Sequence, residues 1–242
     1  MTLVEHLTEL RRRVIVCAVV VATCTVVVFV FYSHLLHFLS GPYEHITRNK
    51  TACGGTPTHG CKLIATGPLE PLLVRIKVST YGGIALSVPF VFWQIWRFVT
   101  PGLHKHERRY GVGFLLAIIV LFLLGATVAW FTVGKALEFL LGAGGSSIQP
   151  FITADKYLTL VALMIAAFGV AFEFPVLLVF LLLVRAVTTR QLRNVRRWMI
   201  VGITVFAAVI TPSSDPFSLF FMAVPMYLFY EIAIVIGRVM KR

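Results

Sequence analysis

One of the few acidic side chains in this sequence lies inside a long apolar run. Glu173 is flanked by Phe172 and Phe174, and Pro175 follows two residues later. A carboxylate at mid-bilayer depth is costly and is functional by default. The alternative is a protonated or hydrogen-bonded glutamate that satisfies the backbone of a helix bent by Pro175. Glu173 is therefore a candidate membrane-embedded functional residue.

A second acid, Glu107, is the single acidic residue of a basic polar segment. The segment reads Trp96-Arg-Phe-Val-Thr-Pro-Gly-Leu-His-Lys-His-Glu-Arg-Arg109. The simplest interpretation is a solvated carboxylate that pairs with the neighbouring cations. A third acid, Glu9, precedes three consecutive arginines at positions 11–13.

The N-terminal stretch that contains Glu9 has the periodicity of an amphipathic helix. Leu3, Leu7 and Leu10 are spaced i, i+4, i+7 and share one helical face. Such a helix, followed by arginines, is typical of an interfacial anchor whose cations meet lipid headgroups. We therefore expect residues 1–13 to lie at a membrane surface.

The four cysteines divide into two pairs. Cys17 and Cys24 lie within an apolar run and are expected to be small apolar residues. Cys53 and Cys61 lie in a Gly/Pro/Thr-rich segment; a disulfide is favoured if this segment faces an oxidising compartment, and two free thiols are the alternative. A zinc site that added His59 would have three ligands rather than the usual four. No metal site and no cofactor are predicted.

The composition indicates a membrane protein. Hydrophobic residues make up 58% of the chain and charged residues 13%, whereas a soluble domain is about half apolar and a quarter charged. The formal net charge of +12 does not indicate a nucleic-acid-binding protein, because the basic residues form short clusters between apolar runs. The first run, 14–32, is too long for a signal-peptide core and no A-x-A-like site follows it, so we interpret it as a retained span.

Six apolar segments are candidate membrane spans, which need about 20 residues each. They are 14–32, 78–96, 111–131, 157–184, 198–211 and 217–236. The predicted fold is an all-α integral membrane protein, a single polytopic domain (1–242) with six helices in a curved, concave bundle. The fifth segment rises only about 21 Å, short of a hydrocarbon core of roughly 30 Å.

The segment 33–77 joins the first two spans and is expected to form an ordered cap of short helices and turns. Two prolines are assigned structural roles. Pro42 lies within the cap, and Pro89 removes a backbone hydrogen bond from the second span and bends it.

The distribution of basic residues predicts the orientation. Fifteen Lys and Arg residues lie in the segments on one side of the predicted spans and seven on the other. Because the side richer in Lys and Arg is cytoplasmic, both termini are predicted to face the cytoplasm.

Several separate motifs together resemble the TatC family of the twin-arginine protein translocase, and the resemblance covers nearly the whole chain. The motifs are His6 to Arg13; Pro89, Gln94, Trp96, Phe98, Pro101, Leu103, Glu107 and Arg108; Phe168-Gly169-x-x-Phe172-Glu173-x-Pro175; Ile210-Thr211-Pro212 with Asp215 and Phe217; and Pro225-Met226-Tyr227 with Glu231.

The resemblance implies a core subunit of the Tat complex in the bacterial cell membrane, which binds twin-arginine signal peptides and exports folded proteins with the proton-motive force. The recognising acids of the family fall on Glu9 and Glu107, with Arg11, Phe98 and Arg109 as supports. Two adjacent guanidinium groups need carboxylates that each accept a fork of hydrogen bonds, and both acids lie on the predicted cytoplasmic side.

The resemblance also implies partners and further roles. The expected partners are TatA and TatB type single-span proteins, other copies of this chain and the lipid bilayer. Partner docking would involve Glu173 and a polar patch that rests on Thr211 and Thr204. This patch is poorer than in the family, since Leu219 stands where a glutamine is common.

Two more acids are expected to be structural. Asp215 precedes the last span and is predicted to cap its start. Glu231 lies near the other end of that span and is predicted to pair with Arg238.

Two other classes of function agree less well with the sequence. A proton- or ion-coupled transporter strings ionisable residues across the membrane, but only Glu173 and Glu231 are acids within the predicted spans, and all seven histidines lie in or near loops. An intramembrane enzyme is not predicted, because no metalloprotease, serine-hydrolase or nucleotide-binding motif is present.

Overall fold

The computed structural model describes residues 3–48, 63–99, 111–143, 152–211 and 215–239. Within these ranges the chain is helical apart from short turns and one isolated β-bridge between Ile64 and Thr153. The helices are α1 Leu3–Val30, α2 Tyr32–Arg48, α3 Glu70–Val99, α4 Gly111–Ala143, α5 Ala154–Ala171, α6 Phe174–Leu183, α7 Thr189–Asn194, α8 Arg196–Ile210 and α9 Pro216–Val239.

Five helical segments in the described ranges are long and apolar enough to cross a membrane. They are Leu7–Val30, Glu70–Phe98, Gly111–Leu140, Ala154–Leu183 and Pro216–Val239. The predicted all-α membrane fold is confirmed, but the count of six spans is not. The predicted span 198–211 forms α8, whose 15 residues rise about 22 Å, well short of a hydrocarbon core of roughly 30 Å.

The helices extend beyond the predicted spans because charged residues at their ends find partners. α1 is continuous from the amphipathic N-terminal stretch through the first span. α3 begins at Glu70, within the predicted cap, and accommodates Lys77 through a 2.8 Å ion pair with Asp155 of α5. α4 continues to Ala143 past Lys135, which pairs with Glu138 at 3.3 Å.

The fourth predicted span, 157–184, is divided by a break between α5 and α6. Pro175 stands in the first turn of α6, where its missing N–H interrupts the hydrogen-bond ladder that enters from α5. The Phe172 N–H still reaches Phe168 O at 2.9 Å, whereas the Glu173 N–H bonds Val170 O at 3.1 Å in a tighter turn. One apolar run, Ala154–Leu183, therefore forms two helices.

α5 lies at the centre of the core and is packed against α2, α3, α4 and α9. Phe168, Val161 and Met164 are fully buried, and Phe172 extends this surface to an edge-to-face contact with Phe229 of α9, at 5.4 Å between ring centroids. The backbone of α4 approaches α5 closely at Gly125, where a Cβ would lie 2.6 Å from Phe168 O. A small residue is needed at that crossing.

The first helix packs on α3 through glycine. A Cβ on Gly83 would lie 2.3 Å from Thr25 Oγ1 and 2.5 Å from Thr25 Cα. Close backbone approach through small residues is how helices associate where apolar side chains gain nothing over lipid. At the far end of this contact, Arg75 of α3 donates to Phe29 O at 3.0 Å, and its guanidinium carbon lies 4.2 Å from the Phe29 ring centroid.

The cap helix α2 is fastened to α5 by one hydroxyl. Tyr157 Oη donates to Leu39 O at 2.9 Å and accepts from the Tyr43 N–H at 3.1 Å. Leu39 and Tyr43 are one helical turn apart, so the hydroxyl is inserted into the hydrogen-bond ladder of α2, beside Pro42. Helical structure in the cap is consistent with the expectation of short helices there.

Glu70 joins the end of the cap segment to the start of α5. Its Oε2 accepts from the Thr66 hydroxyl at 2.7 Å and from the Thr66 N–H, and its Oε1 accepts from the Asp155 N–H at 3.2 Å. Thr153, the N-cap of α5, makes no side-chain capping bond. A carboxylate from another helix therefore satisfies one of the free N–H groups at the start of α5.

Candidate functional site

Glu9 lies on α1 and is held by the arginine one turn later. Arg13 Nε donates to Glu9 Oε1 at 3.1 Å, and Arg13 Nη2 donates to the same oxygen. Residues four apart share a helical face, so the spacing alone makes this pair possible. The Glu9 side chain retains 26% of its exposure and that of Arg13 retains 17%.

The same guanidinium reaches the last turns of α3. Arg13 Nη1 lies 3.3 Å from Gln94 Oε1 and 3.5 Å from Gln94 O, and Arg13 Cζ lies 5.9 Å from the Phe98 ring centroid. A carboxylate, an amide oxygen and an aromatic face are the groups that recognise a guanidinium in proteins. α1 and α3 together therefore form an arginine site.

An aromatic cluster fixes the neighbouring end of α3 to α4. Trp96 is 3% exposed, and its ring centroid lies 4.5 Å from Phe114 of α4 and 5.8 Å from Phe180 of α6. A Cβ on Gly111 would lie 2.9 Å from Trp96 Nε1, so glycine permits α4 to begin against this ring. The chain thus leaves α3 and re-enters α4 at the end of the bundle where Glu9 lies.

The structure places some of the predicted recognition residues at this site and others away from it or outside the described ranges. The structure brings Glu9 and Phe98 to one arginine site, whereas Arg11 is exposed and Arg13 makes the contacts with both. Glu107 and Arg109 lie outside the described residues. Sequence reasoning missed Arg13, although the i, i+4 spacing from Glu9 was a usable signal.

Glu173 is enclosed by the protein at the break between α5 and α6. Its side chain is 1% exposed, and among the described residues neither carboxylate oxygen has a hydrogen-bond partner. It occupies the N-cap position of α6 without making a capping bond. A buried polar group without a partner is costly, and the functional role of this acid stays a prediction.

Glu231 pairs with a different arginine from the one predicted. Its Oε2 accepts from Arg196 Nη2 of α8 at 2.6 Å, and its Oε1 accepts from the Tyr227 hydroxyl at 3.2 Å. The predicted pairing with Arg238 is wrong, because seven residues of helix separate the two backbones by about 10 Å while α8 presents a closer guanidinium. The pair joins α8 to α9.

The polar residues predicted near the start of α9 make hydrogen bonds to groups close to them in the sequence. Asp215 Oδ1 accepts from the Ser218 N–H at 2.7 Å, the geometry of an N-cap. Thr211 is buried and donates to Ala207 O at 2.8 Å, and the exposed Thr204 donates to Ile200 O at 2.8 Å. The two threonine hydroxyls therefore bond within α8 and do not share an accessible patch.

The remaining candidates add no metal chemistry in the described ranges. Cys17 and Cys24 are free and partly buried within α1, whereas Cys53 and Cys61 lie outside the described residues. No cluster of three or more His, Cys, Asp or Glu side chains suited to a metal ion is found in the part of the chain that the structure describes. Pro42 and Pro89 lie inside α2 and α3.

Known proteins are similar to this chain in sequence and in fold. A family model described as Sec-independent protein translocase protein (TatC) matches residues 5–225. The TatC protein of Frankia casuarinae is 39% identical over 98% of this chain, which spans 65% of that relative's length. The TatC protein of Aquifex aeolicus is 36% identical over 100% of this chain and 97% of its own length.

A solved structure agrees with this relationship. A crystal structure of the twin arginine translocase receptor TatC in DDM has a TM-score of 0.79 at 35% identity, covering 96% of this chain and 99% of that one. The resemblance drawn from the sequence motifs is confirmed. The chain therefore belongs to the TatC family of Sec-independent protein translocase proteins, and it is a multi-pass membrane component of the protein translocation machinery.

Proposed function

We propose that this chain is the receptor core of a twin-arginine translocation complex and that its site binds the two consecutive arginines of a signal peptide. The observation that carries this proposal is the arginine site of α1 and α3, where Glu9, Gln94 and Phe98 surround a guanidinium. The same groups suit a guanidinium presented by a peptide.

Glu107 supplies the second carboxylate in this proposal. Val99 ends α3 and Gly111 begins α4, and both lie at the end of the bundle that carries Glu9. Gly111 follows Glu107 by four residues, and four residues of chain reach at most about 14 Å. Two carboxylates at one membrane face then serve two adjacent guanidinium groups, with Arg11 and Arg109 as supports.

The proposed orientation places this face in the cytoplasm, with both termini there, in the bacterial cell membrane. Its support is the excess of Lys and Arg in the segments on that side. Signal peptides are made in the cytoplasm, so a receptor must present its site to that compartment. This chain performs no chemical reaction in the proposal, and the work of transport comes from the proton-motive force.

Assembly with partners completes the proposal. Small single-span proteins of the TatA and TatB type dock on the later helices, near the break between α5 and α6 where Glu173 is buried without a hydrogen-bond partner among the described residues. The short helix α8 contributes the exposed Thr204 to that surface, while Thr211 stays buried at its end, and α8 thins the bilayer locally. Further copies of this chain join the complex.

The deciding experiment measures export of a twin-arginine reporter in cells that carry Glu9→Gln or Glu107→Ala, with membrane levels of each variant checked. Glu138→Gln is the matched control, because Glu138 is an exposed carboxylate at the opposite end of α4. We expect export to fail in the first two variants and to be unchanged in the control. Normal export in both Glu9→Gln and Glu107→Ala would overturn the receptor proposal.

A peptide experiment tests recognition without transport. A signal peptide with Arg-Arg should crosslink at the α1–α3 site, and the same peptide with Lys-Lys should crosslink far less, since an ammonium cannot form the fork. Equal crosslinking of the two peptides would remove the recognition role.

A further inference from the structure

The arginine site of α1 and α3 is already filled by a residue of the chain itself. Arg13 directs Nε and Nη2 to Glu9, Nη1 to Gln94, and the face of its guanidinium towards Phe98. Glu9 Oε1, the Gln94 side-chain oxygen and the Phe98 ring are thus engaged by an internal arginine. This occupancy is not a general property of the local basic run, because Arg11 and Arg12 are both exposed.

The geometry shows why Arg13 competes with a guest. Both of its bonds to the carboxylate end on Oε1, and they use the fork of N–H groups with which a guest would also approach. A guest could share the carboxylate only by placing a second positive charge beside Arg13. Like charges in contact repel, so a guest guanidinium that takes these positions must displace Arg13.

We propose that Arg13 is an internal competitor for the signal-peptide site and that peptide binding requires its displacement from Glu9. This inference rests on the proposed receptor function. The exchange replaces one guanidinium by another, so a guest arginine recovers the contacts that Arg13 loses. A guest lysine recovers only a point charge, because it has no planar fork.

Competition has a thermodynamic signature that direct recognition lacks. Arg13 must leave Glu9 when either peptide binds. It therefore lowers the affinity for an Arg-Arg peptide and the affinity for a Lys-Lys peptide by the same factor. The ratio of the two affinities stays constant when Arg13 is weakened. A residue that touched the guest would change that ratio. Arg13 therefore sets the affinity threshold, and Glu9 sets the preference for arginine.

The test is a binding titration of the full chain in lipid nanodiscs with two fluorescent signal peptides, one with Arg-Arg and one with Lys-Lys. Arg13→Lys keeps the charge but loses the fork, and Arg12→Lys is the matched control on an exposed side chain. We expect Arg13→Lys to bind both peptides about three- to tenfold more tightly by the same factor, since the net contribution of one ordinary hydrogen bond is of that order and the positive charge is kept. Arg12→Lys should match the wild type.

A second pair of variants guards against an uninformative result. Arg13→Gln removes the competitor and one charge, and Arg12→Gln removes one charge alone. Tighter binding in Arg13→Gln than in Arg12→Gln supports displacement. Binding in the Arg13 variants that equals or falls below that of their Arg12 counterparts overturns the inference. If the wild type does not prefer the Arg-Arg peptide and Glu9→Gln changes nothing, the receptor proposal itself fails, whatever the Arg13 variants do.

Discussion

Tyr157 and Tyr43 are joined by a hydrogen bond that takes the place of a helical one. The Tyr43 N–H donates at 3.1 Å to the hydroxyl of Tyr157, which in turn donates to Leu39 O. The two tyrosine rings also lie 5.2 Å apart between centroids. A side chain of α5 thus completes the backbone bonding of α2, so the cap helix depends on the core for its own structure.

Tyr157→Phe should lower stability by about 1 kcal/mol, because the Leu39 and Tyr43 backbone groups lose a buried partner but can partly bond each other across the turn. The measurement is the thermal unfolding midpoint in a fixed detergent. Tyr81→Phe is the matched control, since the Tyr81 hydroxyl has no hydrogen-bond partner among the described residues. An equal shift in the two variants would show that the inserted hydroxyl contributes nothing specific.

Gly83→Leu should separate α1 from α3 and reduce the amount of folded protein in the membrane. Thr25 lies within 2.6 Å of the position that a Cβ would occupy, and backbone atoms of α1 cannot move aside as a flexible side chain could. Membrane accumulation and unfolding temperature are the readouts. The control is Gly134→Ala, where nothing lies within 4 Å; similar behaviour of both variants would contradict the packing argument.

Glu70→Gln should destabilise the junction of the cap segment with α5. The carboxylate accepts from Thr66 and from the Asp155 N–H, and a neutral amide loses the charge that favours the start of a helix. Limited proteolysis of the cap and thermal unfolding report the loss. The exposed Glu138→Gln provides the comparison, and an effect of the same size there would reject a specific role for Glu70.

Arg196 and Glu231 should show a coupling free energy of up to about 1 kcal/mol in a double-mutant cycle, the range of partly exposed ion pairs. The cycle uses Arg196→Gln and Glu231→Gln, with unfolding free energies measured for each. Arg238→Gln with Glu231→Gln is the comparison cycle and should show additivity. Stronger coupling to Arg238 than to Arg196 would mean that the pairing across α8 and α9 is not the one formed in the membrane.

The sequence was sufficient for the class of fold because apolar runs are a strong signal. Charged residues were a poor guide to where those runs end, since Lys77 and Arg75 lie within α3 and find partners on other helices. The division of the fourth span could be anticipated from Pro175. The partners of Lys77 and Arg75 are distant in the sequence, so sequence periodicity could not have predicted them.

The candidate site was predictable in part. Motif resemblance pointed to Glu9 and Phe98, and the structure places both beside one guanidinium. The identity of that guanidinium, Arg13, follows from the meeting of α1 with the end of α3. Glu231 shows the converse. The sequence offered Arg238 on the same helix as its partner, but the structure pairs Glu231 with Arg196 from a neighbouring helix.

The contact of α1 with α3 has a mechanical consequence if the proposed peptide binding takes place. Among the contacts of α1 with α3 are those of Arg13 with Gln94, of Thr25 with Gly83, and of the Phe29 carbonyl with Arg75. Displacement of Arg13 would free the first and leave the other two, both in the distant half of the helix. The N-terminal turns of α1 would then be held less firmly against α3, and amide exchange there should quicken when a signal peptide binds.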